Sequence, residues 1–191
     1  MVANSAAAST AVAAVIADGR YNQTMPSGSD ISWSIRSFRP DDAQACKMLY
    51  HDALLGGTLA ENDTGADIDD IQGVYMQHAG NHVWVAESEG QLVGMVAVQH
   101  LDEGVGEIRR LRVAPSHRRR GIGSALLERA LAFCQEKEYY KITLDTFIDR
   151  EPALRLFEKF RFRHDHTRNL RGKDLLYFYL DIYTGQPRPH H

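Results

Sequence analysis

The stretch "VAPSHRRRGIGSALL", Val113 to Leu127, sets three arginines against two glycines and then opens an apolar run. A helix N-terminus presents unpaired N–H groups and about half a positive charge. It binds phosphates when the preceding loop lets backbone come close. Gly121 and Gly123 remove Cβ atoms that would block that approach, and Ser124 adds a hydroxyl. Arg118, Arg119 and Arg120 add charge and bidentate contacts. An anion is the expected ligand. A nucleic-acid backbone, a nucleotide and an acyl carrier all qualify on this stretch alone.

The spacing excludes two phosphate loops. The GxxxxGK[ST] pattern is absent, and no lysine follows the glycines. The GxGxxG fingerprint fails because an arginine stands at its first glycine and no acid sits at the required distance downstream. Hydrolysis of a nucleoside triphosphate is therefore disfavoured.

Working outward, "GEIRRLRVAP" reads as a strand ended by Pro115. On the other side Ile122, Ala125, Leu126, Ala130, Phe133 and Cys134 recur at helical spacing, so a long helix begins near Gly121 with one buried face. "KITLDTFI", Lys141 to Ile148, is a strand, with Leu144 and Ile148 expected in the core. "REPALRLFEKF" is a short helix with Pro152 in its first turn. "FRHDHTRN" and "LLYFYLDIY" form an antiparallel pair joined near Gly172. Toward the N-terminus, Val83–Ser88 and Leu92–His100 form a hairpin turning at Glu89-Gly90. Before it, "ENDTGADIDDI" is an acidic loop leading into a short helix through Tyr75 and Met76. "ISWSIRSFRPDD" is a strand ending at Pro40. The helix after it takes Asp41 or Asp42 as N-cap and stops at Gly56 and Gly57. The order is β-α-(α)-ββ-β-α-β-α-β-β. It predicts an α+β (mixed α/β) fold, a mixed and mostly antiparallel sheet of about seven strands with about four helices.

A chain of 191 residues with 43% hydrophobic content supports one domain with its own core. The net charge of −3 argues against a general polyanion binder. Cys46 and Cys134 lie in apolar helical patterns, which makes them core residues rather than a bridge or metal pair and suits a reducing, cytoplasmic setting. No run approaches the roughly 18 apolar residues of a membrane span. "AVAAVIA", Ala11 to Ala17, is short and lacks a preceding basic region, which argues against a secretory signal. Residues 1–30 read as a disordered Ala/Ser-rich tail, 31–183 as the folded domain and 184–191 as a flexible tail.

"RRRGIG" fits the pattern Arg/Gln-x-x-Gly-x-Gly/Ala. It follows a strand ending "LRVAP", starts a long amphipathic helix, and is followed by "ITLDTF" and "ALRLFEKFRF". In these features the chain resembles the GNAT superfamily of acyl-CoA-dependent N-acyltransferases, from Ile31 to Ile182 and most closely from Glu107 to Phe162. The resemblance implies a splayed pair of fourth and fifth strands and acetyl-CoA as co-substrate, with no metal. The loop amides from Arg118 through Arg119, Arg120, Gly121, Ile122 and Gly123 to Ser124 would cradle the pyrophosphate. The backbone of Leu111, Arg112 and Val113 would pair with the pantetheine arm like an added strand.

Glu107 matches the general base of the histone-acetyltransferase branch. It is equally an exposed strand charge or a substrate contact on sequence grounds. The last motif departs from the family pattern: Arg150 replaces an asparagine, Phe157 the tyrosine that often protonates the leaving thiolate, and Arg161 a glycine. Phe157 cannot donate a proton, and Arg150 suggests a different contact to the cofactor. Tyr177, Tyr179 and Tyr183 are candidate replacement acids, and Asp145 a candidate on the substrate side. The resemblance frames the amine acceptor by the acidic loop, with Glu61, Asp63, Asp67, Asp69 and Asp70. That charge favours a cationic amine such as a polyamine, an aminoglycoside or a lysine, unless the loop is merely solvated. "HDH", His164 to His166, reads as exposed strand.

Two rival readings remain. Arg109, Arg110, Arg112 and Arg118–Arg120 form a basic patch that could track a nucleic acid, but no aromatic platform is interleaved with it. The chain could also be a catalytically degenerate acyl-CoA-binding module. Edge pairing of the C-terminal strands would allow a homodimer as well as a monomer.

Overall fold

A computed structural model describes residues 21–22, 32–52 and 63–182. The tails expected at 1–30 and 184–191, the helix stop at Gly56 and Gly57, Glu61 and Tyr183 lie outside the described residues.

Seven strands form one sheet. They are β1 (Trp33–Ser37), β2 (His82–Ser88), β3 (Gln91–Asp102), β4 (Val105–Val113), β5 (Lys141–Phe147), β6 (Arg163–Leu170) and β7 (Lys173–Asp181). Their order is β1-β2-β3-β4-β5-β7-β6, and a two-residue strand, Tyr21–Asn22, adds to the β1 edge. Every described pairing is antiparallel except β4 with β5. A parallel pair needs a long crossover, and α3 (Ile122–Glu136) supplies it. The other α-helices are α1 (Ala43–Asp52), the single turn α2 (Ala66–Asp69) and α4 (Glu151–Lys159), and a wide π-helical turn at Gln72–Met76 stands where the short helix through Tyr75 and Met76 was expected.

Two apolar clusters sandwich the sheet. Val96, Val98, Ile108, Ile142 and Leu144 meet α3 on one face. Val83, Val85, Met95 and Ala97 meet Cys46, Leu49, Tyr50, Ile68 and Tyr75 on the other. The helical spacing read from the sequence is the buried face of α3: Ile122, Ala125, Leu126, Ala130, Phe133 and Cys134 are all at most 6% exposed. Cys46 and Cys134 are free, buried core residues. The hairpin turn at Glu89-Gly90 and the turn at Arg171-Gly172 both put two successive residues at positive φ, as two-residue hairpin loops require.

Two local expectations change. Ile148 is 53% exposed, because β5 ends at Phe147 before that residue can reach the core. Asp42 does not cap α1. It ends a 3₁₀ turn, where its carboxylate accepts from the Arg39 N–H at 2.7 Å and pairs with the Arg36 guanidinium.

One irregularity positions the site. Met95 faces Arg112 and Ala97 faces Arg109, so Arg110 and Leu111 together oppose Val96. This is a β-bulge, with Arg110 in the left-handed region at φ 56°. Alternation along β4 is reset there. Glu107 and Arg109 before the bulge, and Arg110 and Arg112 after it, share the α1 face. Ile108, Leu111 and Val113 pack with the α3 cluster.

Candidate functional site

The parallel pairing of β4 with β5 lasts three residues, Val105↔Lys141, Gly106↔Ile142 and Glu107↔Thr143. Beyond Glu107 the strands part, and a cavity of about 570 Å³ opens between them. Its walls are Ile108 to Val113 of β4, Leu144 to Phe147 of β5, the arginine–glycine turn and the start of α4. The parted halves carry backbone groups with no partner on the facing strand, which is what an extended chain between them would use.

Most of the residues expected to hold the cofactor meet here. Leu111, Arg112, Val113, Arg118, Arg119, Gly121, Gly123, Ser124, Arg150 and Phe157 line the cavity. Arg120 and Ile122 do not: Arg120 is exposed, and Ile122 is 1% exposed in the core beneath the turn. Gly121 adopts φ 81°, which a side chain rarely tolerates, and α3 starts at the next residue. A Cβ at Gly123 would make only ordinary contacts, 3.7 Å from Leu156 and Val113. Internal packing therefore does not demand glycine at this cavity-lining position. The Arg118 Nε donates to the Val113 carbonyl at 3.2 Å, and Lys159 donates to the Ser124 hydroxyl at 3.2 Å. These contacts tie the turn to β4 and α4.

Glu107 stands in the last paired position before the gap rather than in the cavity wall. Burial raises its carboxyl above the ordinary range. Arg109, 3.6 Å away, opposes that shift, and the nearby charge of Asp145 adds to it. Asp145 lines the cavity and is open to it, yet the protein around it raises its carboxyl too.

The acidic loop behaves differently from its sequence reading. Arg110 is 8% exposed and holds Asp67 at 2.6 and 2.8 Å and Asp63 at 2.5 Å. Its guanidinium lies 5.0 Å over the Tyr50 ring, and the Tyr75 hydroxyl donates to Asp67. Asp69 pairs with Lys47, and Asp70 accepts from the Gly73 N–H. The loop's described carboxylates are thus largely engaged with protein. Sequence reasoning named Arg110 and both aspartates but did not join them, since 43 and 47 residues separate them. Burial of Arg110 also removes it from any exposed nucleic-acid patch.

Phe157 is 5% exposed and packs on Phe162 and Phe178. Among the described residues no tyrosine lines the cavity. Tyr177 pairs with Asp145 across β7 and stacks on His166, and Tyr179 pairs with Thr143 beneath Lys141. All residues from Arg163 to Asn169 are exposed, the "HDH" triplet among them.

A profile of the acetyltransferase (GNAT) family matches residues 46–162, more than half of the chain. The chain belongs to that family. It is 37% identical over 99 residues to N-acetylaspartate synthetase of Xenopus tropicalis, covering 51% of this chain and 36% of that protein. It is 34% identical over 102 residues to human N-acetyltransferase 8, covering 51% of this chain and 45% of that one. The matches thus span less than half the length of these curated relatives. An acetyltransferase from Salmonella typhimurium, solved with its cofactor acetyl-CoA, superposes with a TM-score of 0.69 at 21% identity, over 81% of this chain and 96% of that one. The fold is therefore that of the GNAT acetyltransferases, as the arginine–glycine turn and its flanking elements implied. No helix among the described residues is long and apolar enough to cross a membrane.

Proposed function

We propose that this chain is an N-acetyltransferase that moves an acetyl group from acetyl-CoA to a primary amine by direct attack in a ternary complex. The parting of β4 from β5 after the Glu107–Thr143 pair, with the cavity running from there to the arginine–glycine turn, carries this reading. Acetyl-CoA supplies an activated acetyl group. The residues present suit it: an open lane of backbone at Leu111 to Val113, an unencumbered Gly123, and cations at Arg118 and Arg119 beside the α3 N-terminus.

Glu107 is the base in this reading. Its raised carboxyl is a better acceptor for an ammonium proton than an ordinary glutamate. The substrate ammonium first gives one proton to Glu107, directly or through water. The freed amine nitrogen then bonds to the acetyl carbon, the carbon–sulfur bond breaks, the nitrogen gives its second proton to solvent, and the thiolate keeps the bonding electrons and takes a proton from solvent. Phe157 makes that last protonation the step this chain assists least. The same feature keeps a second reading, an acyl-CoA-binding module without turnover. The buried free thiols of Cys46 and Cys134 suit a reducing compartment such as the cytoplasm.

A thermal-shift titration with acetyl-CoA tests the reading, with Gly123→Trp in parallel and free thiol measured over an amine panel. At about 100 times Kd the ligand should add about 2.7 kcal/mol to the folded state. The melting temperature should rise by several degrees in the parent and far less in the variant. Binding without thiol release on any amine would favour the module, and no shift in a folded parent would refute both readings.

A further inference from the structure

The chemistry of acetyl transfer gives the side chains of two cavity cations no part, and Arg150, read from the sequence as a cofactor contact, is one of them. Arg112 and Arg150 both line it. Among the described residues, the Nε of each is buried and has no hydrogen-bond partner. Arg112 donates from Nη1 to the carbonyl of its neighbour Leu111 at 3.1 Å, and Arg150 lies over the Phe147 ring. The nearby aspartates, Asp63 and Asp67, are held by Arg110.

The two guanidinium groups also repel one another. Burial, and then the charges of Arg150 and Arg110, push Arg112 down to about 10. It is still protonated at neutral pH. A buried charge without a counter-charge is costly. Here two half-buried guanidinium groups face one cavity, Arg112 from β4 and Arg150 from the start of α4, each with a buried Nε that has no hydrogen-bond partner among the described residues. A planar fork of donors is the best protein match for a carboxylate, and two such forks can share one.

The opposite end of the same face carries the reverse charge. Glu107 stands where the strands still pair, and Asp145 lines the cavity just beyond. The charge of Asp145 acts on Glu107. Arg112 sits in the parted half of β4, and Arg150 follows the end of β5. The acceptor face therefore runs from carboxylates at the base of the gap to guanidinium groups farther out. A molecule with an ammonium and a carboxylate would match that polarity.

We propose that Arg112 and Arg150 form a carboxylate subsite, and that the acceptor is an amine that also bears a carboxylate, an α-amino acid or a close relative. This rests on the acetyl-transfer reading and narrows its acceptor. It replaces the cationic acceptor expected from the acidic loop, whose Asp63 and Asp67 are engaged by Arg110.

The test compares L-leucine, L-phenylalanine and L-aspartate with their α-carboxamides as acceptors, using the full chain at saturating acetyl-CoA. The acids should exceed the amides by about 10- to 100-fold in kcat/KM, the worth of a charged hydrogen bond. Arg112→Met and Arg150→Met should each collapse that ratio, chiefly by raising KM for the acid, and Arg112→Lys should restore part of it. A merely structural loss would lower acid and amide together. Equal use of acid and amide by the parent would overturn the proposal. So would acetyl-CoA binding with no amino acid acetylated. A preference for succinyl-CoA over acetyl-CoA that vanishes in the same variants would assign the subsite to the acyl group, and overturn it as well. Failure of acetyl-CoA to shift the melting temperature would instead remove the parent reading, and this one with it.

Discussion

Arg110 and Arg112 stand two residues apart on β4 and face the same side of the sheet, yet their surroundings are opposite. Arg110 is clamped by two aspartates and stacked on Tyr50. Its guanidinium is held well above the ordinary arginine range by those partners, against burial that pulls it down. Arg112 is half-buried, and desolvation together with the charges of Arg150 and Arg110 pushes it the other way. The bulge puts this pair on the face of Glu107 and Arg109, since unbroken alternation from those two residues would turn Arg110 and Arg112 to the α3 side. One arginine closes the structure. The other is left for something the chain does not itself supply.

The largest expected effect breaks the clamped member. Arg110→Met leaves Asp63 and Asp67 as partly buried carboxylates without a counter-charge, and should cost about 3–5 kcal/mol in chemical denaturation. The parent should show a matching acid dependence. Hydrogen bonds from Arg110 hold Asp63 and Asp67 below the usual carboxylate range, although burial raises them. Their stabilisation is therefore complete above the unfolded value of about 3.9 and is lost as pH falls through the lower folded values. In Arg110→Met that component should disappear from the pH–stability curve. A variant as stable as the parent would mean that the clamp is incidental.

Next in size is Glu107, which has the opposite sign on the same face. Glu107→Gln should lower kcat/KM by about 100-fold, the usual contribution of a positioned base. Burial raises this carboxyl, so the acid limb of the parent's pH–rate profile should lie above the ordinary glutamate range. The rate should fall as pH drops through it, and the limb should be absent in Glu107→Gln. A parent limb at an ordinary carboxylate value that persists in the variant would move the base elsewhere, with Asp145 the next group to test.

Much of this was legible in the sequence, and the boundary has a physical cause. The helical spacing of Ile122 to Cys134 and the Glu89-Gly90 turn are local patterns, and local patterns survive folding. "RRRGIG" carried the family because its chemistry is backbone chemistry at one helix start. The bulge was hidden, because it exists only in the register of β3 against β4 and no residue of "EIRRLRV" announces it. The acidic loop misled for a related reason. Counting its charges gave a field for a cation, but the count could not show that Arg110 is folded against two of them. Ile148 failed on strand length: alternation predicts a face only while the strand lasts. Arg150 was read from the sequence as a departure from the family pattern, and its buried, unpartnered Nε now gives that departure a use.

The smallest expected change in stability is the sharpest test of the comparison. Arg112→Met keeps the length and apolar stem of the side chain while deleting its charge. If Arg112 is uncompensated in the unliganded protein, the deletion relieves its repulsion with Arg150 and Arg110 and exposes no stranded partner. Stability should then stay within about 1 kcal/mol of the parent, on the favourable side, because replacing a buried charge by an apolar group of similar volume is often neutral or stabilising. The contrast with Arg110→Met, the same exchange two residues away, is then several kcal/mol and set by counter-charges rather than by burial. A loss at Arg112 as large as that at Arg110 would show that some carboxylate of the chain already holds it, and the subsite would have to be sought at Arg150 alone.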